Sequence, residues 1–567
     1  MSDRTALTRM HAAVDAVTLQ RHLEWFSQVP RDTGGEGEDR AAAYLAAELE
    51  AAGVPVTMHE FDAFLSYPRQ AALRVTAPDA REFRCVTHSF ARSTPTEGLR
   101  ADIVFVDGAR FAAARGQIAL VDGLATPVTI LQASQAGCAG IIFANEDRFI
   151  HNMIGTTIWG TPEFDQVDRM PTVAAVSVDV DAGAALKAML QTGRVAAVMT
   201  TLVDTGWYRS KLPEVRIPGT REPDRFVLVG GHYCAWHEGI TDNATGDACV
   251  LEMAKLLWRE RAHLERSVRL CWWPGHSHGR YSGSTWYADT FFADLAEGGL
   301  AYYNIDSPGV KGATAYFCRN TCAEFEGYCR EVIAAVTGQA NAPAFRPMRA
   351  ADQSFLASGM PSFSAYPFLV DGHPDKRPWT GGCGNAWWWH TDQDTLDKAD
   401  VGILATDVKV GLAAVWGLAN ATFLPLDYRA TARELIDVVT GLQAKSRGVD
   451  FAPLLADAGH LAAALDAFDA KRGDASGAAS WNATAIRLGR ILNPLMYTRG
   501  GRFHHDPAEW SPILRATKRF TLPGLIKAEG LTQLEGQPEH GFLTAQLVRE
   551  LNRARATVRQ ALQELGA

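Results

Sequence analysis

The feature that most constrains the fold is a series of short apolar runs alternating with helical segments. The runs FVLVGG, VRLCWW and LAYYNI begin at Phe226, Val268 and Leu300, and residues 248–259 between the first two have helical apolar spacing. Strands that alternate with helices form a mostly parallel sheet flanked by helices on both faces. We therefore predict an α/β fold, in which the chemistry lies just beyond the carboxyl ends of the strands.

The chain divides into three regions by sequence character, as its 567 residues lead us to expect at roughly 100–200 residues per domain. Two helical patterns and a strand begin the α/β layer, the pattern changes near residue 78, and helical patterns alone follow residue 424. We predict a catalytic domain of residues 1–77 and 204–424, a β-rich insert of residues 78–203, and a helical domain of residues 425–567.

Charge and hydropathy limit the partners. The net charge of −9 and the scattered lysines and arginines argue against a nucleic-acid partner. We find no apolar stretch of about 18–20 residues that would span a bilayer, and no apolar segment after the polar start. We therefore expect a cytoplasmic protein with no membrane partner. The nine cysteines lack the spacing of a disulfide framework.

Side chains that can bind a metal lie in four segments at or near predicted strand ends. The segments are GGHYCAWHEGITDNATGDA, CWWPGHSHGRYSGSTWYAD, YYNIDSPG and WWWHTDQDT. Imidazole and carboxylate groups suit Zn²⁺ and similar ions. A single histidine or aspartate at a strand end is more often a capping or hydrogen-bonding residue, so the interpretation depends on the order and spacing of the whole set.

That order resembles metallopeptidase family 28, the co-catalytic zinc exopeptidases, in the branch of glutamate carboxypeptidase II and transferrin receptor. The resemblance implies a zinc-exopeptidase-like fold and the metal ligands His232, Asp242, Asp306 and His390, with Asp242 bridging two ions. The stretch GQIALVDGL…ILQASQAGCAGIIFANE resembles a protease-associated domain. The stretch LNPLMYTRGGRFHHDPAEW and the last helix resemble a helical dimerisation domain, which implies a homodimer.

The sequence departs from this family where two adjacent glutamates are expected. Those positions fall on His276 and Ser277, so the family's general base and one of its metal ligands are both replaced. With an unperturbed pKa of about 6.5, His276 suits the role of base, and we expect His278 as a further metal ligand. Arg280 is a candidate catalytic residue that binds a carboxylate or phosphate, or else forms a surface salt bridge. Cys234 stands where the family has an aspartate, as a thiolate ligand or a small buried residue.

Aromatic side chains near these positions predict the walls of a binding site. We expect Trp236, Tyr281 and Trp389 to contact a small-molecule substrate. The favoured function is a metal-dependent hydrolase of an amide or peptide-like small substrate, with one or two divalent ions, zinc first. The alternatives are a lyase or an iron or copper site on the same fold, and a non-catalytic binding protein; elemental analysis would separate them.

Overall fold

The computed structural model describes residues 2–108, 110–348, 350–445, 448–507 and 521–567, and the side chains from Thr5 onward. The strands are β1 (Thr57–Ala77), β2 (Arg81–Phe83), β3 (Val86–Thr87), β4 (Leu99–Phe105), β5 (Ile118–Asp122), β6 (Gly140–Ala144), β7 (Ala174–Val178), β8 (Ala196–Ile217), β9 (Glu222–His232), β10 (Arg266–Trp273), β11 (Gly299–Asn304), β12 (Ala315–Cys318), β13 (Ser362–Phe363) and β14 (Ala365–Phe368). The helices are α1 (Ser2–Ala13), α2 (Ala16–Phe26), α3 (Glu36–Ala51), α4 (Pro127–Ala136), α5 (Val180–Thr192), α6 (Thr245–Arg259), α7 (Ser282–Thr290), α8 (Phe292–Gly298), α9 (Glu326–Thr337), α10 (Val401–Ala419), α11 (Tyr428–Lys445), α12 (Ala452–Asp469), α13 (Ala478–Tyr497) and α14 (Pro538–Leu565).

A mixed sheet organises the molecule, and within the described residues it contains 12 strands. Its order is β13-β11-β9-β10-β8-β4-β5-β6-β7-β3, with β1 paired to β8 and β2 paired to β1. The three apolar runs of the sequence form β9, β10 and β11, and β9 pairs in parallel with both others. Their carboxyl ends therefore meet at one edge, where the predicted site residues follow. The predicted α/β fold is confirmed, although β8 runs antiparallel to β10 and makes the sheet mixed.

The long antiparallel strands β1 and β8 carry the chain out of the catalytic part and back. They pair from Thr57 with Glu214 to Ala77 with Ala196, so β8 crosses the predicted boundary at residues 203 and 204 without a break. Between them, β4 to β7 with α4 and α5 form a smaller α/β layer around a core of its own. Its assignment as a protease-associated domain stays a prediction.

Helix α10 corrects one expectation from the sequence. Val401–Ala419 is long and apolar enough to cross a membrane by length and composition, with a hydropathy of 1.5. In the structure 56% of this window is buried, and the helix packs against α6, α9 and β9 inside the protein. A helix buried on most of its surface in a protein core is as apolar as a membrane span, so its composition is explained by the core.

The C-terminal helices share the main core instead of forming a separate one. The apolar stripe of α14 is buried against α12 and α13 of the same chain through Leu547, Ala554, Val558 and Ala561. The stripe therefore does not by itself require a second subunit, and the homodimer stays a prediction that light scattering can test. In the stretch LNPLMYTRGGRFHHDPAEW, residues 508–510 lie outside the described residues.

Candidate metal centre

Three predicted metal ligands meet at the carboxyl edge of the sheet. His232 is the last residue of β9, Asp242 lies in the turn that follows, and Asp306 comes just after β11. Nε2 of His232 lies 3.0 Å from Oδ1 of Asp242 and 4.0 Å from Oδ1 of Asp306. One ligand atom of each lies within 4.8 Å of the others, so a zinc-sized ion with bonds of about 2.0–2.2 Å fits between them.

His390 joins this group through the second oxygen of Asp242. Its Nε2 lies 3.2 Å from Oδ2 of Asp242, so that carboxylate faces His232 with one oxygen and His390 with the other. Burial alone would raise the pKa of Asp242, but the hydrogen bonds from the two imidazoles outweigh it and hold the pKa well below its usual range. The carboxylate is therefore kept charged, as a metal ligand must be.

Both imidazoles are oriented by hydrogen bonds from their other nitrogen. Nδ1 of His232 donates to the carbonyl oxygen of Cys234 at 2.8 Å, and Nδ1 of His390 donates to that of Asn152 at 2.8 Å. Because a carbonyl only accepts, Nδ1 of each ring carries a proton, and loss of the proton on Nε2 would leave a lone pair facing the carboxylates, where a metal would bind. This is the usual arrangement around a metal-binding histidine.

Asp394 fixes the turn that carries Asp242. Its carboxylate accepts hydrogen bonds from the backbone and hydroxyl of Thr241 and from the backbone N–H of Asp242, all between 2.7 and 3.1 Å. Burial raises the pKa of Asp394 to about 7. Asp394 thus ties the loop that carries His390 to the turn that carries Asp242.

The side chain of Asn243 ties together the ends of β9 and β11. Its amide donates to the carbonyl oxygens of His232 at 3.1 Å and Ile305 at 3.2 Å, and its oxygen accepts from the N–H of Ser307 at 2.9 Å. The side chain is fully buried. These bonds set the distance between His232 and Asp306, the two ligands that follow the strands.

Replacing Asn243 by alanine is expected to lower the free energy of unfolding by about 2–4 kcal/mol, because buried backbone groups lose their partners. Metal affinity should fall as well, since the two strand ends are no longer held together. Urea unfolding and metal titration measure the two effects. Asn482, which bonds Thr422 and Leu424 far from the site, is the matched control. An equal loss of metal affinity in Asn482→Ala would contradict the positioning role.

His276 lies beside the metal ligands and is paired with an acid that the sequence did not reveal. Its ring stacks on His232 with centroids 3.8 Å apart, and its Nδ1 lies 2.8 Å from Oδ2 of Asp352. The other oxygen of Asp352 accepts from the hydroxyl of Ser284 at 2.9 Å. Burial and the neighbouring His232 lower the pKa of His276. A neutral imidazole with Nδ1 held in this way has Nε2 free to accept a proton.

His278 is not brought into the metal group. Its Nε2 points towards Asp32 at 3.6 Å, and its ring packs against Trp236 with centroids 4.4 Å apart. Burial lowers its pKa to about 4. The two histidines leave the tight turn of residues 274–281 in different directions, so the expectation that His278 binds the metal does not fit the structure.

A cavity of 80 Å³ opens beside these ligands. Its lining residues are Pro127, Met153, Ile154, Asp242, His276, Arg280, Tyr281, Asp306, Arg319, Ala350, Ala351, Gly381, Gly382, Trp389 and His390. The predicted residues Arg280, Tyr281 and Trp389 thus reach the cavity. Trp236 does not line it; the indole packs on the rings of His278 and His390 instead, and so supports the site from outside.

The inserted layer supplies several residues to the site. Besides binding His390, Asn152 accepts a hydrogen bond from His237 at 3.0 Å, and His151 donates to the carbonyl oxygen of Trp389 at 2.6 Å. The ring of Trp159 lies 4.3 Å from that of Tyr281. None of the site residues predicted from the sequence lies in the insert; the polar pair His151 and Asn152, next to apolar residues, is a signal that could have indicated its contribution.

The comparisons with known proteins agree with this geometry. Residues 215–414 match peptidase family M28. The chain is 26% identical to a probable glutamate carboxypeptidase from Zea mays over 349 residues, which is 49% of this chain and 48% of that protein. The alignment thus spans about half of that relative's length.

Solved structures show the same fold. A peptidase M28 precursor from Shewanella amazonensis aligns with a TM-score of 0.59 at 19% identity, over 75% of this chain and 97% of that one. A zinc aminopeptidase from Bacillus subtilis aligns with a TM-score of 0.54 at 17% identity, over 71% and 94%. Residues 215–414 thus match peptidase family M28, and the resemblance found in the sequence is confirmed.

Proposed function

We propose that this protein is a metal-dependent hydrolase of an amide or peptide-like small substrate, with an imidazole in place of the usual carboxylate base. The observation that carries the proposal is the position of His276, which lines the same cavity as Asp242, Asp306 and His390 and is paired with Asp352. The match of residues 215–414 to peptidase family M28 supports hydrolysis of an amide bond.

The donor set fits a zinc-like ion, and His232, Asp242 and Asp306 would hold it. When bound, the ion would polarise the substrate carbonyl and make water more acidic. The structural neighbour from Bacillus subtilis is a zinc aminopeptidase, which favours zinc for this chain. His390 and Oδ2 of Asp242 remain as ligands for a second ion. The glutamate that would complete this site in the family is replaced by Ser277, which is neutral and a poor ligand. We therefore propose one tightly held ion.

The protein's own groups account for the remaining steps. Nε2 of His276 accepts the proton of the attacking water, while Asp352 holds Nδ1–H and stabilises the imidazolium that forms. The same imidazolium then donates the proton to the leaving nitrogen. The rings of Tyr281 and Trp389 wall the cavity and limit the access of water. Its volume of 80 Å³ suits a small group next to the scissile bond, not a long peptide.

The test combines elemental analysis with hydrolysis of a panel of N-acyl amino acids, amino-acid amides and dipeptides. We expect zinc in the purified protein and metal-dependent release of amine from at least one member, abolished by a chelator and restored by Zn²⁺. Iron or copper in the protein would favour the alternative metal chemistry. A protein that binds no metal and keeps its fold would indicate a binding protein.

Replacing Ser277 by glutamate is expected to create the second metal site, because it restores a carboxylate where the family has one. The zinc content should rise from about one to about two ions per chain. Ser277→Gln, with a side chain of the same size but no charge, is the control and should stay at one. Two tightly bound ions in the unmodified protein would contradict the proposal of a single ion.

A further inference from the structure

We propose that Arg280 binds a carboxylate of the substrate, so that the preferred substrates are amides with a free carboxylate close to the scissile bond. The inference rests on the proposed function and adds the chemical class of the substrate. It is based on three observations: Arg280 is buried, it has no counter-ion among the described residues, and it lines the cavity.

Among the described residues, no acidic side chain serves as a counter-ion for the buried guanidinium of Arg280. The residue is 6% exposed, and its Nε has no hydrogen-bond partner. No salt bridge links Arg280 to any acidic side chain in the part of the chain that the structure describes. A buried charge without a partner costs several kcal/mol, and proteins normally pair such groups. An anion that enters the cavity would supply the missing partner.

Two aromatic rings neighbour the guanidinium of Arg280, whose Nε has no hydrogen-bond partner among the described residues. The guanidinium carbon lies 5.0 Å from the ring centroid of Tyr281 and 6.0 Å from that of Trp159. Aromatic rings interact with the face of a guanidinium, whereas its N–H groups lie in the plane and point outward. A carboxylate matches that fork with two parallel hydrogen bonds. The aromatic surroundings also keep water out and strengthen the pair.

The position of Arg280 sets where the carboxylate lies. The ring of Tyr281 is 4.8 Å from that of His276, and both side chains line the cavity with Arg280. An anion on Arg280 is therefore separated from the proposed base by about one aromatic ring. A substrate that spans both has its carboxylate within a few bonds of the amide that is cleaved, as in an N-acyl amino acid.

The other arginine of the cavity provides a matched control. Arg319 also lines the cavity, but it donates to the carbonyl oxygen of Gly381 at 2.7 Å and lies over the ring of Tyr366 at 4.3 Å. The hydrogen-bonding groups of Arg319 are thus partly used within the protein. Replacing Arg319 removes one positive charge from the same cavity but leaves the guanidinium of Arg280 in place.

Binding of benzoate, benzamide and phenyl phosphate to the zinc-loaded protein tests the inference, with titration calorimetry as the measurement. We expect benzoate to bind more tightly than benzamide. Arg280→Gln should weaken benzoate by roughly 10–100-fold, the usual range for a hydrogen-bonded charge pair, and leave benzamide unchanged. Arg319→Gln should weaken benzoate much less. The Arg280→Lys variant keeps the positive charge but cannot donate two parallel hydrogen bonds, so its benzoate affinity should fall by an intermediate amount. This variant decides the role of Arg280 if Arg280→Gln does not fold.

Three results would overturn the inference. Benzoate affinity that is unchanged in Arg280→Gln would place the carboxylate on the metal alone. An equal loss in Arg319→Gln would show a general effect of charge. Tighter binding of phenyl phosphate than of benzoate would replace the carboxylate by a phosphate. If the zinc-loaded protein hydrolyses no amide, the proposed function fails, while the benzoate measurements still decide the role of Arg280.

Discussion

Replacing His276 by alanine is expected to lower turnover by about 10²–10⁴-fold, the usual contribution of general acid–base catalysis, with the metal content nearly unchanged. The reason is geometric: His276 is held by Asp352 at 2.8 Å and lines the cavity, but it does not belong to the three-residue group that fits the ion. Single-turnover kinetics and elemental analysis of the same preparation measure the two quantities. A fall in metal content instead would make His276 a ligand.

His278→Asn is the control for this experiment. Because His278 faces Asp32 and Trp236, its replacement should leave both turnover and metal content within a few-fold of the unmodified protein. The sequence alone leaves open an exchange of roles between the two histidines, which a double replacement tests. The structure predicts that the double variant behaves like His276→Ala. If neither quantity moves in any of these variants, His276 is a bystander and the mechanism is wrong.

Replacing Asp242 by asparagine is expected to weaken metal binding by more than about 100-fold, which exceeds the usual effect of changing a residue that only orients a ligand. Both oxygens of Asp242 are used, one facing His232 and one facing His390, and the residue is only 7% exposed, so water compensates little of the lost charge. Turnover should fall in parallel. Competition with a chromogenic chelator measures the affinity.

Asp400→Asn is the matched control, because it makes the same chemical change outside the site. Asp400 caps α10 by accepting from the N–H groups of Gly402 and Ile403, and asparagine caps helices equally well. The metal affinity and the stability of the Asp400→Asn variant should therefore remain unchanged. If the Asp242→Asn variant retains its metal at the same chelator concentrations as the unmodified protein, the proposed metal centre is incorrect.

The loop of residues 274–281, which carries the proposed base His276, is held in place by hydrogen bonds from other parts of the chain. It is anchored from several sides: the N–H of Gly275 donates to Thr33 at 3.1 Å, Ser89 donates to the carbonyl oxygen of Ser277 at 3.1 Å, and the N–H of Gly160 donates to that of Arg280 at 2.6 Å. Two of these anchors come from the insert. The altered residues therefore lie on a rigid loop, which favours a defined role for His276 over an accidental substitution.

The sequence by itself determined the central sheet and the order of the ligands. The apolar runs at Phe226, Val268 and Leu300 became β9, β10 and β11, because a strand covered by helices on both faces must be apolar along its length. Parallel strands deliver the residues after them to one edge, so the positions of His232 and Asp306 followed from pattern and resemblance. These are local properties of the chain.

Only the tertiary structure decided which side chains face each other across the site. Asp352 lies 76 positions from His276, and Asn152 lies 238 positions from His390, so neither partnership leaves a trace in local spacing. The sequence also does not show in which direction a side chain points. His276 and His278 are separated by one residue, yet they leave a tight turn on different sides. Burial of α10 and of the stripe of α14 also depends on what packs over them, since an apolar face looks the same whether its own chain or a partner covers it.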